Sequence, residues 1–150
     1  MSQRNSEYQR MAGDTYVTPQ WVWDALYAVE PWAKLAVDCA PVYPAADFLQ
    51  TRDRHKSIAT NPPFKLAEKF VRHALELTKP DGKVAMLLPH TWDTAKSRID
   101  LFDEPLKTKY AITRRIRWEN LEQKKNGPSS NHAWFVWDWN HEGPPTMGWL

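Results

Sequence analysis

Residues 57–89 constrain the fold more than any other stretch, because two short apolar runs there enclose one amphipathic segment. SIAT (57–60) is one run, and KVAMLLP (83–89) is apolar without a break from Val84 to Leu88. A strand without alternation is covered on both faces, as in the centre of an α/β sheet. Between the runs, Leu66, Ala67, Phe70, Val71, Ala74, Leu75 and Thr78 recur every three or four residues. That spacing makes one helix face, and KPDG (79–82) stops it.

The flanking segments extend the pattern. TPQWVWDALYAVEPW reads as a helix, with Thr18 able to cap it, Pro19 in its first turn, and Trp23, Leu26 and Tyr27 on one face. KLAVDCA (34–40) reads as a strand that ends in a polar turn. PVYPAADFLQTRDRHK reads as loop with a short strand near Phe48. TWDTAKSRIDLF predicts a helix carrying Trp92, Ala95, Ile99 and Phe102 on one side. YAITRRIRW alternates and predicts a half-exposed strand, and HAWFVWDW a final one across the polar loop ENLEQKKNGPSSN. Such an order implies an α/β domain around a mostly parallel sheet, its last two strands an antiparallel hairpin at one edge. Ligands in such sheets bind beyond the carboxyl ends of the strands, where Asp38, Asn61 and Pro89 would share one rim.

A length of 150 residues suits one domain, expected over 14–150 behind a loose polar arm at 1–13. Nine tryptophans and twelve prolines predict aromatic surfaces and stiff loops. No run of eighteen apolar residues is present, and MSQRNSEYQR lacks a signal-peptide core, so no membrane partner and a cytoplasmic location are expected. The single Cys39 has no disulfide partner within the chain, and no Cys/His spacing calls for a metal.

The net charge of +2 is too small to argue for a nucleic-acid partner, but its distribution says more. Lys107, Lys109, Arg114, Arg115, Arg117, Lys124 and Lys125 fall in one stretch against Glu119 and Glu122. This reads either as a solvated strand edge or as a surface that follows a phosphate backbone. Trp134, Trp137, Trp139 and Trp149 lie close together, and any left exposed would suit a homodimer contact.

At the strand-to-helix handover the chain reads Asn61-Pro62-Pro63-Phe64, a stiff connection that presents an amide beside an aromatic ring. This stretch resembles the catalytic motif of S-adenosylmethionine-dependent amino methyltransferases, which carry Asp/Asn/Ser-Pro-Pro-Tyr/Phe after a strand. DTYVTPQWVWDAL followed by AVDCAP is similar to phage and prophage DNA adenine methyltransferases, and GKVAMLLP and HAWFVWDW resemble later strands of the same family. The resemblance runs from Asp14 to Asn140. It implies a Rossmann-like class I methyltransferase fold with a shortened sheet, S-adenosylmethionine as cofactor, DNA as substrate and a phage-infected or lysogenic bacterial host.

It also implies roles. Asn61, Pro62, Pro63 and Phe64 would be catalytic. Thr18 and Pro19 would lie near the methionine part of the cofactor, and Asp38, Cys39 and Ala40 would line its floor. Asp47 or Asp53 would hold the ribose, and Phe48 would either pack on the adenine ring or belong to the core. Arg114, Arg115, Arg117, Trp118, Lys124 and Lys125 would meet nucleic acid, with His90 near the same rim. The chain departs from the wider pattern in three ways: in place of a separate target-recognition module the basic stretch with Trp118 and EQKKNGPSSNH is the candidate, DCAPVYPAADF has no Gly-x-Gly after Asp38, and only 22 residues separate Asp38 from Asn61. One or two strands of the usual sheet are therefore expected to be missing. The same chemistry on cytosine, RNA or a protein amide, and a non-catalytic binding module, are the alternatives.

Overall fold

The computed structural model describes residues 17–39, 45–103, 105–118 and 131–150. Five strands form one sheet: β1 (Ser57–Thr60), β2 (Lys83–Pro89), β3 (Leu106–Ala111), β4 (His132–Asp138) and β5 (Thr146–Trp149), in the order β1-β2-β4-β3-β5. β1 runs parallel to β2, β4 antiparallel to both β2 and β3, and β5 parallel to β3. Four strands therefore point one way and β4 alone is reversed, giving a Rossmann-like, mostly parallel sheet.

Helix α1 (Gln20–Val29) and helix α3 (Ala67–Leu77) cover opposite faces, and α2 (Ala45–Phe48) is a single short turn. Val22 and Leu26 of α1 pack with Ala59, Ala85, Leu87, Trp134 and Val136. Phe70, Val71 and Ala74 of α3 pack with Ile58, Val84, Met86, Leu88, Phe135 and Trp137. Successive side chains of β2 and β4 thus enter different cores, which is why both runs are apolar at consecutive positions. Each large side chain buried this way contributes about 1.5–3 kcal/mol.

The expected antiparallel pairing of the last two long strands is present, but it does not lie at the edge. β4 is buried along its length and sits between β2 and β3, while the exposed β5 takes the edge. The strand expected over YAITRRIRW is displaced: β3 begins at Leu106 and ends at Ala111. Its partner β4 begins at His132, and among the described residues the ladder ends with the Ile112 N–H bonded to the His132 carbonyl at 3.0 Å. Ile112 and Ile116 are still buried and Arg114 exposed, so the alternation reflects burial of an irregular segment.

Three other segments also differ. Among the described residues KLAVDCA makes one bridge, Val37 to Ile58, and its Lys34 and Leu35 are wound into the 3₁₀ turn Pro31–Leu35. The helix expected near Trp92 is two 3₁₀ turns, 92–94 and 96–101, split by the extended backbone of Ala95. That break turns Ile99 outward, leaving it 69% exposed. The strand expected near Phe48 is the short helix α2.

Two local features carry measurable weight. Gly82 closes the turn between α3 and β2, and a methyl there would lie 2.5 Å from the Thr78 carbonyl oxygen and 2.6 Å from that of Lys56. Both are backbone atoms, so Gly82→Ala should cost about 1–3 kcal/mol; an unchanged urea midpoint would contradict this. At the other end of α1, the buried Glu30 carboxylate accepts from Trp32 Nε1 (2.7 Å), Lys107 Nζ (3.0 Å) and the Tyr110 hydroxyl (2.6 Å). Glu30→Ala is expected to lower the unfolding free energy by about 2–4 kcal/mol.

Burial first, and then the bond and charge of Glu30, push the Tyr110 phenol from 10.0 up to about 12. The folded state therefore holds the proton longer than the unfolded chain. The resulting stability is complete below pH 10.0 and is lost as pH rises through about 12. Across that window the wild type should lose stability more steeply than Tyr110→Phe, measured by thermal melts; equal slopes would refute the linkage.

Candidate functional site

At the carboxyl end of β1 the chain leaves the sheet through Thr60 and Asn61 and turns into a 3₁₀ turn (Phe64–Leu66) ahead of α3. Pro62 and Pro63 are both buried, and each proline restricts the residue before it. The Pro63 carbonyl accepts from the Leu66 N–H at 3.0 Å and starts the turn. Phe64, directly after this rigid pair, stands 66% exposed. The connection therefore holds a polar side chain and an aromatic ring at one rim without burying either.

Two side-chain bonds join this turn to the segments beside it. The Thr60 hydroxyl, itself fully buried, donates to Asp38 Oδ1 at 2.6 Å. The Asn61 amide donates from Nδ2 to Thr18 Oγ1 at 3.0 Å. Thr18, Asp38, Thr60 and Asn61 thus meet at the mouth of the sheet, although 43 positions separate Thr18 from Asn61. With its N–H given to Thr18, Asn61 keeps Oδ1 as an acceptor with no donor among the described residues. Thr18 makes no capping bond to α1, where Pro19 holds the cap position.

Cys39 follows Asp38 and is fully buried. Burial, and then the Asp38 charge, push its thiol up to about 12. The Tyr27 phenol of α1 is also raised, by burial first and then by Asp24 and Asp38, which marks α1 as lining the Asp38 side. Among the described residues no three His, Cys, Asp or Glu side chains form a group that could hold a metal.

The remaining candidates divide. Phe48 is fully buried, its ring 4.6 Å from Phe70 and 5.2 Å from His73, so it belongs to the core beneath α3. Asp47 is exposed on α2. Asp53 lies in the segment that follows α3 toward its foot, between the contact of Thr51 O with His73 Nε2 and the bond from His55 N to Leu77 O. That course leads away from the rim where β1 ends, so Asp53 does not join Asp38 and Asn61. Ala40, Lys124 and Lys125 lie outside the described residues, as does the 1–13 arm.

The basic stretch also divides. Lys107 is committed to Glu30, and Lys109 to Asp93 Oδ2 (2.9 Å) and the His90 carbonyl (2.7 Å). The Arg114 guanidinium lies 3.8 Å from the Trp21 ring centroid, over the first turn of α1. Arg115 and Arg117 are exposed, and Trp118 meets His132 edge-on at 5.2 Å. Three arginines and a tryptophan therefore follow the rim end of β3, beside the start of α1. Nothing in the spacing marks Thr60 or Trp21; a hydroxyl closing an otherwise apolar strand is the one signal that points to Thr60.

The Cys39 environment yields a direct check. With its thiol at about 12, native protein near pH 8 should react with a thiol-specific disulfide reagent roughly a thousandfold or more slowly than free cysteine. Unfolding in denaturant should restore the ordinary rate, and rapid native labelling would contradict the buried placement.

No family model and no curated protein matches this chain. Among solved structures it is similar to a putative class I S-adenosylmethionine-dependent methyltransferase from Listeria monocytogenes, with a TM-score of 0.45, 12% identity, 65% of this chain and 37% of that one covered. It is also similar to a predicted O-methyltransferase from Agrobacterium tumefaciens, with a TM-score of 0.44, 16% identity, and 65% and 42% covered. The M protein of the type I restriction enzyme EcoKI has a TM-score of 0.39 at 18% identity, with 57% and 21% covered. The chain spans well under half the length of these proteins, and likenesses this distant carry no activity across to it.

Proposed function

We propose that this chain belongs to an S-adenosylmethionine-dependent methyltransferase acting on the exocyclic amine of adenine in DNA. The observation that supports it is Asn61-Pro62-Pro63-Phe64 at the carboxyl end of β1, with the Asn61 N–H tied to Thr18 and Phe64 exposed. An aromatic amine is a weak nucleophile because its lone pair is delocalised into the ring. Two acceptor oxygens on its hydrogens favour a pyramidal nitrogen and stabilise the charge that grows there. Asn61 Oδ1 and the Pro62 carbonyl are suited to that pair, since the neighbouring Pro63 carbonyl is already taken by Leu66.

The polar groups at the rim fit the cofactor. Asp38, half-buried and held by Thr60, suits its hydroxyl or ammonium groups, and the Thr18 hydroxyl suits its carboxylate. Bound there, S-adenosylmethionine would supply a methyl group on a sulfonium, an electrophile strong enough that the acceptor needs positioning more than a strong base. The exposed Phe64 ring offers a stacking face for a flipped base, worth roughly 1–3 kcal/mol. Arg114, Arg115, Arg117 and Trp118 suit the phosphate backbone beside it.

The test is transfer of labelled methyl from S-adenosylmethionine to DNA, with the product digested and the modified nucleoside identified. N6-methyladenine is expected. Asn61→Ala should lower the rate about a hundredfold or more, measured well below the variant's own melting temperature. A wild type that binds no S-adenosylmethionine in calorimetry, or that methylates only RNA or protein, would overturn the proposal.

A further inference from the structure

We infer that Thr18 is a positioning residue that sets the orientation of the Asn61 amide. The inference rests on the methyl-transfer reading of Asn61 and deepens it. A side-chain amide presents oxygen or nitrogen according to a half-turn about its last torsion, which is broad and weakly preferred. Only the orientation with Oδ1 toward the acceptor can receive an amine hydrogen. Asn61 sits at a strand end, half-buried, and among the described residues its side chain bonds by donation from Nδ2 to Thr18 Oγ1 at 3.0 Å.

Thr18 is itself placed for this purpose. A threonine just before a helix ordinarily turns its hydroxyl onto the first N–H groups. Here the cap position belongs to Pro19, no side chain caps α1, and the hydroxyl faces Asn61 instead. The Pro19 carbonyl accepts from the Val22 N–H at 3.0 Å, and the Val22 carbonyl accepts from Trp134 Nε1 at 3.1 Å. The amide is thereby referenced, through the first turn of α1, to the fully buried Trp134 of β4. A hydroxyl can donate to an amide oxygen as well as accept from its nitrogen, so Thr18 selects one orientation of Asn61 by giving its own proton elsewhere, and a cofactor carboxylate on its far side would take that proton.

The test compares wild type, Thr18→Val and Thr18→Ser. It measures methyl transfer to DNA, S-adenosylmethionine affinity by calorimetry, and the Asn61 side-chain amide resonances in ¹⁵N-labelled protein, assigned by their loss in Asn61→Ala. Valine keeps the shape but can neither accept from Asn61 nor donate to a cofactor carboxylate, so cofactor affinity should weaken and kcat at saturating cofactor should still fall on the order of tenfold or more. Serine should restore kcat, and the Asn61 amide resonances should move in the valine variant and not in the serine one. A valine variant with wild-type kcat, one whose whole defect is weaker cofactor binding, or unmoved Asn61 resonances would each overturn the role of Thr18. Wild type inactive on DNA would remove the reading of Asn61 as well, and is distinguished by that control.

Discussion

The antiparallel pair of β2 and β4 is the constraint on which the rest of the structure depends. Seven registered positions join them, from Lys83 opposite Asp138 to Pro89 opposite His132, and the five central residues of each strand are buried. Neither strand can be an edge, so β1 must pair outside β2 and β3 outside β4. Their side chains divide between two cores, which forces helices onto both faces. The two central tryptophans also tie the layers through their polar edges: Trp134 donates to the Val22 carbonyl of α1, and Trp137 to the Leu101 carbonyl beyond the other face. Full burial of an indole is favourable only where its N–H finds such a partner.

The sheet is far thinner on the Asp38 side, where one bridge from Val37 stands in for a ladder. Side-chain bonds take over there. The Thr60–Asp38 bond is short, buried at its donor end and assisted by the carboxylate charge, so it is stronger than a neutral rung of sheet. The Asn61–Thr18 bond does the same for the start of α1. The polar residues at the rim are thus both the fastening of a short sheet margin and the groups that face outward from it. A change to any of them moves its neighbours, and stability and activity cannot be separated at these positions without an isosteric control.

The parts of the fold that were legible in the sequence are those whose burial is set locally. β1, β2 and α3 were readable because continuous apolar runs and a helical period need no knowledge of partners. The misread segments depend on partners instead. The alternation of Ile112, Arg114 and Ile116 reads like a strand, yet among the described residues the pairing with β4 ends at Ile112, and the burial of the two isoleucines makes the pattern. KLAVDCA looked like a strand for the same reason and was drawn into a turn after Pro31. The stiff turn at Asn61 to Phe64, between β1 and α3, was legible because four consecutive residues carry it; their catalytic role is a proposal. Thr18 was read as a cap, since its true partner lies 43 positions away, and Phe48 was ambiguous because a ring near a rim and a ring in a core look alike in sequence.

The basic stretch shows how counting charges misleads. Of its five described members, the two lysines on β3 are spent inside the protein, one neutralising the buried Glu30 and the other bridging Asp93 and the His90 carbonyl. Both stand on a strand, where the neighbouring elements supply acceptors. The arginines follow after the ladder ends, on an irregular segment whose apolar residues Ile112 and Ile116 hold it to the core while the charged ones face out. The Arg114 guanidinium lies over Trp21, 3.8 Å from its ring centroid, a cation–π contact that restrains the side chain. The exposed arginines thus follow β3 at the same end of the sheet as Asn61.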